Sequence, residues 1–292
     1  MDAIFQILVT GLTLGSMYAL ASVGLALTYG TMGMFNMAHG LFMTIGAYGA
    51  YSAATLWGLS LPLALLAGVF AGGAVGAIMH VLVVRFMLQR EDFQTTIMVA
   101  TAGVAILLQD LILKQYGAYP FKQPVQIEGS FKFANTAVTY QSIAILVIAA
   151  AMIGIMAWLL KRTRFGMAIR ATAMNQDAAK LMGVKTEHVY LQVIIIAGVL
   201  AGAAGILISS LASLSPDMGS NPLIRAFIIC VVAGLGSVTG AGFAAISLGL
   251  FEAAIGYYFG VRYGFPVMLG LVICVLIFKP TGLFGKHEVV RS

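Results

Sequence analysis

The sequence predicts an all-α, polytopic transmembrane helical bundle, and three observations carry that prediction. Of its 292 residues, 61% are hydrophobic and 9% are Asp, Glu, Lys or Arg, where a soluble domain has about a quarter charged. The mean hydropathy is +0.99. The apolar runs are long and continuous, not alternating, so the backbone closes its hydrogen bonds as helices and not as a barrel of strands.

A helix needs about 20 apolar residues to cross the hydrocarbon core. Breaks at Gly, Pro and charge clusters give about nine spans (eight to ten), at roughly 4–29, 36–56, 61–84, 95–113, 141–160, 191–211, 222–238, 241–259 and 264–279. Charge tests that count. Arg85 and Arg90 follow the third span, and Lys161, Arg162, Arg164, Arg170, Lys180 and Lys185 lie between the fifth and sixth. Lys279, Lys286 and Arg291 follow the last. Nine spans put all three clusters on one face, which the positive-inside rule makes cytoplasmic, with the N-terminus outside and the C-terminus cytoplasmic. An eight-span count would leave one cluster outside.

The first span, within MDAIFQILVTGLTLGSMYALAS, contains an Ala19-Leu20-Ala21 triplet similar to a signal-peptidase site. It carries Asp2 and no basic n-region, so it reads as a retained span. The expected organisation is one transmembrane domain over 1–292, with an external loop at 114–140 and a cytoplasmic loop at 161–190. The formal charge of +6 comes from helix ends and one loop, which topology explains better than a nucleic-acid partner. Cys230 and Cys274 sit in apolar runs without a CxxC or Cys/His cluster, so neither a metal nor a disulfide framework is expected. GxxxG spacing recurs at Gly11/Gly15, Gly72/Gly76, Gly198/Gly202, Gly236/Gly240, Gly256/Gly260 and Gly260/Gly264. Small residues one turn apart let helix backbones approach closely in lipid.

The internal segment RTRFGMAIRATAMNQDAAKLMGV, residues 162–184, gathers charge that the rest of the chain avoids. Met167, Ala171, Met174, Ala178 and Leu181 recur at steps of four and three, one face of a single short helix, with Arg170, Asp177 and Lys180 on the other side. Gly183 stands where a left-handed C-terminal cap would fall. Three readings are open: a helix lying on lipid headgroups, a plain topology signal, or a docking element for a cytoplasmic protein.

That segment resembles the cytoplasmic loop of the permease subunits of branched-chain amino acid ABC importers, at Arg162, Phe165, Gly166, Arg170, Ala171, Ala178, Gly183 and Val184. The opening of the chain is similar to that family's, with an Asn-x-Ala-His-Gly signature at Asn36, Ala38, His39 and Gly40, and AGLGSVTGAGFAAISLGLFEA and FKPTGLFGK resemble its C-terminal third. One departure is Ala173-Met174-Asn175, where many members carry an acidic residue. The resemblance implies a bacterial inner-membrane permease working with a second, homologous permease, two cytoplasmic ATP-binding subunits and an extracytoplasmic solute-binding protein. It implies that Arg162, Arg164, Phe165, Gly166, Arg170, Ala171, Asn175, Ala178, Leu181 and Gly183 form an ATPase-docking loop. The substrate would be a branched-chain amino acid or a related small polar solute such as urea, an amide or an aromatic acid. The chain itself is expected to be no enzyme and to bind no cofactor. ATP and magnesium belong to the partners, because the nearest approach to a phosphate loop, PTGLFGKHE at 280–288, has Pro280 in place of the first glycine and follows no strand.

Polar residues inside spans are costly and are candidates for function. Asn36 and His39 follow Gly30 and Gly33, where a helix can break, so that Asn36 would cap the next helix and expose its N–H groups to a substrate carboxylate. The alternative is a plain cytoplasmic turn with His39 bonded locally. Thr44 is a further pathway candidate, or, like Thr28, bonds only its own helix. Glu252 lines the pathway and meets a substrate ammonium, or satisfies a neighbouring helix. Asp110 and Lys114, four apart, suggest a local ion pair. The competing class is a secondary transporter coupled to ions through Glu252 and His39, which would require no cytoplasmic docking helix. An intramembrane enzyme finds no HExxH, paired Asp motif or Gly-x-Ser-x-Gly here.

Overall fold

A backbone surrounded by hydrocarbon has no water to bond, and the apolar runs are accordingly helical. The computed structural model describes residues 2–88, 92–133 and 136–285. Its helices are α1 (Asp2–Met32), α2 (His39–Thr55), α3 (Leu61–Met79), α4 (Arg85–Met87), α5 (Phe93–Tyr116), α6 (Tyr140–Arg162), α7 (Arg164–Met174), α8 (Gln176–Leu181), α9 (Thr186–Leu211), α10 (Ser220–Ala233), α11 (Val238–Tyr258) and α12 (Gly264–Phe278). A π-helical turn, His80–Val84, joins α3 to α4, and a 3-10 turn, Val261–Tyr263, precedes α12. Arg90, Lys286, His287 and Arg291, used above in reading charge and motif, lie outside the described residues.

Each of the expected spans coincides with a helix, yet only seven helices among the described residues are long and apolar enough to cross a membrane. The two others are part-length. With 17 residues α2 reaches about 26 Å, and with 14 residues α10 reaches about 21 Å, against roughly 30 Å of hydrocarbon. The run expected as a span to residue 238 is helical only to Ala233, because Gly234 and Gly236 adopt φ of +98° and +82°. The chain is also not wholly helical. Inside the long connection after α5, β1 (Ser130–Phe133) and β2 (Thr136–Thr139) form an antiparallel hairpin with Ser130 opposite Thr139.

The core is built from two interlocked triplets, α1–α2–α3 and α9–α10–α11. Helix α1 runs antiparallel to α11, with Gly15 against Ile246 and Gly30 against Gly236. Helix α3 runs antiparallel to α9, with Gly68 against Ile206 and Gly76 against Ile194. The short helices complete the pattern, α2 packing on α9 and α10 on α1. Exchanging the triplets therefore maps one set of contacts onto the other with the direction reversed, an inverted repeat.

Three of the spaced glycine pairs do the expected work, Gly11/Gly15 against α11, Gly72/Gly76 against α9, and Gly198/Gly202 against α3. The pairs around Gly260 do not, since Gly260 forms the turn after α11 with no neighbour near its Cα and φ of +102°. The C-termini of α6 and α12 lie at the same end as those of α1 and α10. Val23 and Thr31 of α1 flank the same cleft as Ile153 and Leu160 of α6, and Leu283 and Phe284 beyond α12 donate to the last carbonyls of α10, Val232 and Ala233. That end carries the loop with Arg162, Arg164, Arg170, Lys180 and Lys185, and it also carries Lys279.

A Cβ on Gly205 would fall on the Met43 carbonyl at the α2–α9 crossing, whereas Gly103 on α5 has nothing near it. Gly205→Ala should therefore cost about 1–3 kcal/mol of stability through overpacking. Gly103→Ala should match or slightly exceed the parent, with thermal unfolding in detergent as the measure.

Candidate functional site

The loop between α6 and α9 is built from two short helices, not the single one expected. The helix breaks at Asn175, whose backbone is extended and whose Oδ1 accepts from the Ala178 N–H, so Asn175 caps α8. Thr163 plays the same part for α7, its Oγ1 accepting from the Gly166 N–H while donating to the Leu159 carbonyl. Gly183 ends α8 at φ +84°, with its N–H on Lys180 O and the Val184 N–H on Ala179 O. Both bonds are those of a Schellman cap, as the sequence suggested.

Gly166, Ile169 and Thr172 turn inward against the bundle. The expected apolar stripe, Met167, Ala171, Met174, Ala178 and Leu181, faces outward. At its tip Met174 is 87% exposed, Leu181 89% and Met182 85%. Arg162 and Arg164 are exposed beside it, and Phe165 is half-buried on the bundle side. Arg170 is turned back, its Nη1 donating to the Leu160 carbonyl at the end of α6, so it anchors the loop to the bundle. Asp177 and Lys180 lie 3.8 Å apart on the surface.

The second cluster lies inside the bundle. Residues 33–38 are irregular, starting at Gly33 with φ +66°, and run back beside the end of α1. His39 is fully buried, its Nε2 2.9 Å from the Ala21 carbonyl. A carbonyl only accepts, so Nε2 carries a proton. Ala21 lies eleven residues before the end of α1, about 16 Å along the axis, so α2 starts at depth rather than from a surface turn. Asn36 does not cap α2. Its Oδ1 accepts from the Ala38 N–H in a local turn, and Ala38 is the residue that precedes the helix. The side-chain bond of Thr44 goes to its own helix, at Gly40 O.

Helix α10 starts at the same depth. Gly40 and Gly219 are in backbone contact, with Leu223 over Gly40 and Thr44 beside Gly219. The first turns of two antiparallel part-length helices thus meet, that of α2 buried and that of α10 open at Ser220 and Asn221. A cavity of about 50 Å³ beside this crossing is lined by Thr44, Gln109, Pro216 and Ser220 among others. The positive ends of two helix dipoles meet there, an arrangement suited to a carboxylate.

Glu252 is buried on α11 and pairs at 2.9 Å with Arg225 of α10, a residue the sequence reading passed over. The Arg225 guanidinium lies 5.4 Å from the Tyr18 ring and 5.6 Å from the Phe265 ring. Arg225 stands two residues after Leu223 on α10, which puts it on the opposite side of that helix, toward α1 and α11. The signal for it was present, as a lone Arg within an apolar run. Asp110 and Lys114 form the expected local pair at 2.9 Å, well exposed.

The family model described as "Branched-chain amino acid transport system / permease component" matches residues 7–278. The chain is 31% identical to the high-affinity branched-chain amino acid transport system permease protein BraD of Pseudomonas aeruginosa, over 98% of this chain and 97% of that protein. It is 29% identical to the corresponding protein LivH of Escherichia coli K12, over 98% and 97%. It is 31% identical to the galactofuranose transporter permease protein YtfT of the same organism, over 94% and 80%. No solved structure matches.

Removing one partner of a buried ion pair strands the other. Arg225→Met or Glu252→Gln alone should destabilise by about 3–5 kcal/mol, and the double variant should recover most of that loss. Thermal unfolding of the four proteins in one detergent measures both effects.

Proposed function

The chain belongs to the branched-chain amino acid permease family, and we propose that it forms one half of the membrane passage of an ATP-driven importer. In this reading it lies in the bacterial inner membrane with the basic end cytoplasmic, the N-terminus outside and the C-terminus inside. The nine helical runs then cross or enter the bilayer, α2 and α10 as part-length helices. A second, homologous permease completes the passage, two ATP-binding subunits dock beneath, and a solute-binding protein delivers substrate from outside. ATP and magnesium act in the docked subunits, and this chain supplies neither nucleotide site nor cofactor.

One observation carries the reading, the apolar tip formed by Met174, Leu181 and Met182 at a basic, water-facing end. Large apolar side chains exposed that far are an interaction surface, and their position on a capped, rigid loop suits them to a groove in a soluble motor. Closure of the ATP-binding dimer would displace the loop. Thr163 and Arg170 tie it to the end of α6, and α8 continues through its Schellman cap into α9. A displacement of the tip is thereby delivered to α6 and, through the packing of α7 on α1 and α9, to a helix of each triplet. Differential binding of ATP to one state of the dimer then biases the bundle between outward- and inward-open forms.

The passage in this proposal runs by the crossing of α2 and α10. The substrate carboxylate meets the positive helix ends there, Asn36, His39 and Thr44 shape the crossing, and Glu252, held by Arg225, lines the pathway beyond it. A branched-chain amino acid fits that arrangement and the names of the relatives BraD and LivH.

Met174→Glu combined with Leu181→Glu should strip the ATP-binding subunits from the purified complex and lower ATP-driven uptake at least tenfold with membrane insertion unchanged. Retention of those subunits with normal uptake would remove the docking role. Ser220→Leu, which fills the small cavity at the crossing, should lower uptake of radiolabelled leucine several-fold while the subunits stay bound. Undiminished uptake would move the passage elsewhere.

A further inference from the structure

Helix α6 meets both triplets, and the inverted repeat makes the two meeting places equivalent. Away from the basic end, α6 faces α3 and α9 in a groove that the chain fills itself. Val125 and Ile127, from the connection before the hairpin, lie in it. Gln123 and Gln126 fasten that segment to Ser209 and to the Ser210 carbonyl, at 3.0 and 2.7 Å. About 20 Å³ remains empty there.

At the basic end, α6 faces α11 and α1, the repeat partners of α3 and α9. The walls are Met156 and Leu160 on one side and Phe243 and Ile246 on the other, over Leu27. No connecting segment among the described residues fills this groove, whose volume is about 690 Å³. Lys161 and Arg170 stand at its mouth. None of the ion pairs among the described residues includes either of them. Lys161 is next to last in a 23-residue membrane helix, at the level where lipid headgroups lie.

We propose that this groove is a site for an anionic phospholipid, with an acyl chain between α6 and α11 and the phosphate between Lys161 and Arg170. The apolar walls and basic mouth match an amphiphile with a negative head, the chemistry by which basic clefts between membrane helices select acidic lipids. Ile169, Arg170 and Ala173 of α7 also line the groove. The lipid therefore spans the joint between the bundle and the outward-facing loop. On the proposed docking role of that loop, it stiffens the connection through which the loop moves the bundle.

The test is native mass spectrometry of the intact transporter, purified with its partner subunits from native membranes. The parent should retain an acidic phospholipid on this chain. Lys161→Glu, and separately Gly242→Leu, which intrudes on the groove where only Val23 approaches at 3.9 Å, should each reduce retention at least tenfold. In nanodiscs, replacing phosphatidylglycerol by phosphatidylcholine should lower coupled uptake several-fold in the parent and little in the two variants. Equal retention in all three proteins would overturn the site. So would efficient crosslinking of Phe243→Cys to the second permease in the intact complex, which would mean that a protein helix fills the groove. Lipid retention is read without transport, so an importer reading that failed would leave this result standing by itself.

Discussion

Close approach of helix backbones is the constraint on which this structure depends. Lipid tails are as apolar as leucine, so no hydrophobic effect draws one membrane helix to another, and contact area with hydrogen bonding must do it. Glycines supply the area where α1 crosses α11 and where α3 crosses α9. Any side chain larger than hydrogen at Gly15, Gly46, Gly72 or Gly202 would meet a neighbouring backbone. The two crossings are of the same kind in opposite orientation, and the inverted repeat is their geometrical consequence.

That repeat explains why the chain reverses inside the bundle. Two helices too short to cross the hydrocarbon are tolerable only where protein, not lipid, surrounds their ends. The first turn of α2 is buried among the long helices, and the contact of Gly40 with Gly219 brings the start of α10 against it. Buried polar groups then join the short helices to the long ones. His39 reaches back to α1, and Arg225 and Glu252 tie α10 to α11. A desolvated ion pair of that kind contributes little net stability but strongly penalises any arrangement that separates it.

The loop at the basic end follows a different logic, since water solvates it and capping fixes its shape. Thr163, Asn175 and Gly183 each end or begin a helix through bonds to neighbouring backbone, so the apolar tip is held out rather than collapsed onto the bundle. Arg170 explains an arginine that looks from the sequence like a contact for a partner. Its Nη1 also donates to the Leu160 carbonyl near the end of α6 and fastens the loop to that helix. The joint so formed borders the groove left open between α6 and α11.

Much of this was legible in one dimension. Composition alone established a helical membrane protein, because local hydrogen bonding and hydropathy depend only on neighbours along the chain. The run of Met167, Ala171, Met174, Ala178 and Leu181 announced an amphipathic loop, and Gly183 its cap. The break at Asn175 was missed because an Asn within a periodic pattern reads equally as interior or cap until its φ and ψ are known. Which glycine meets which backbone, the depth at which α2 and α10 begin, the bond from His39 to Ala21 and the pairing of Arg225 with Glu252 were decided by tertiary structure. Those contacts join residues far apart in sequence, and their energy appears only when helices are brought together, so no local pattern records them.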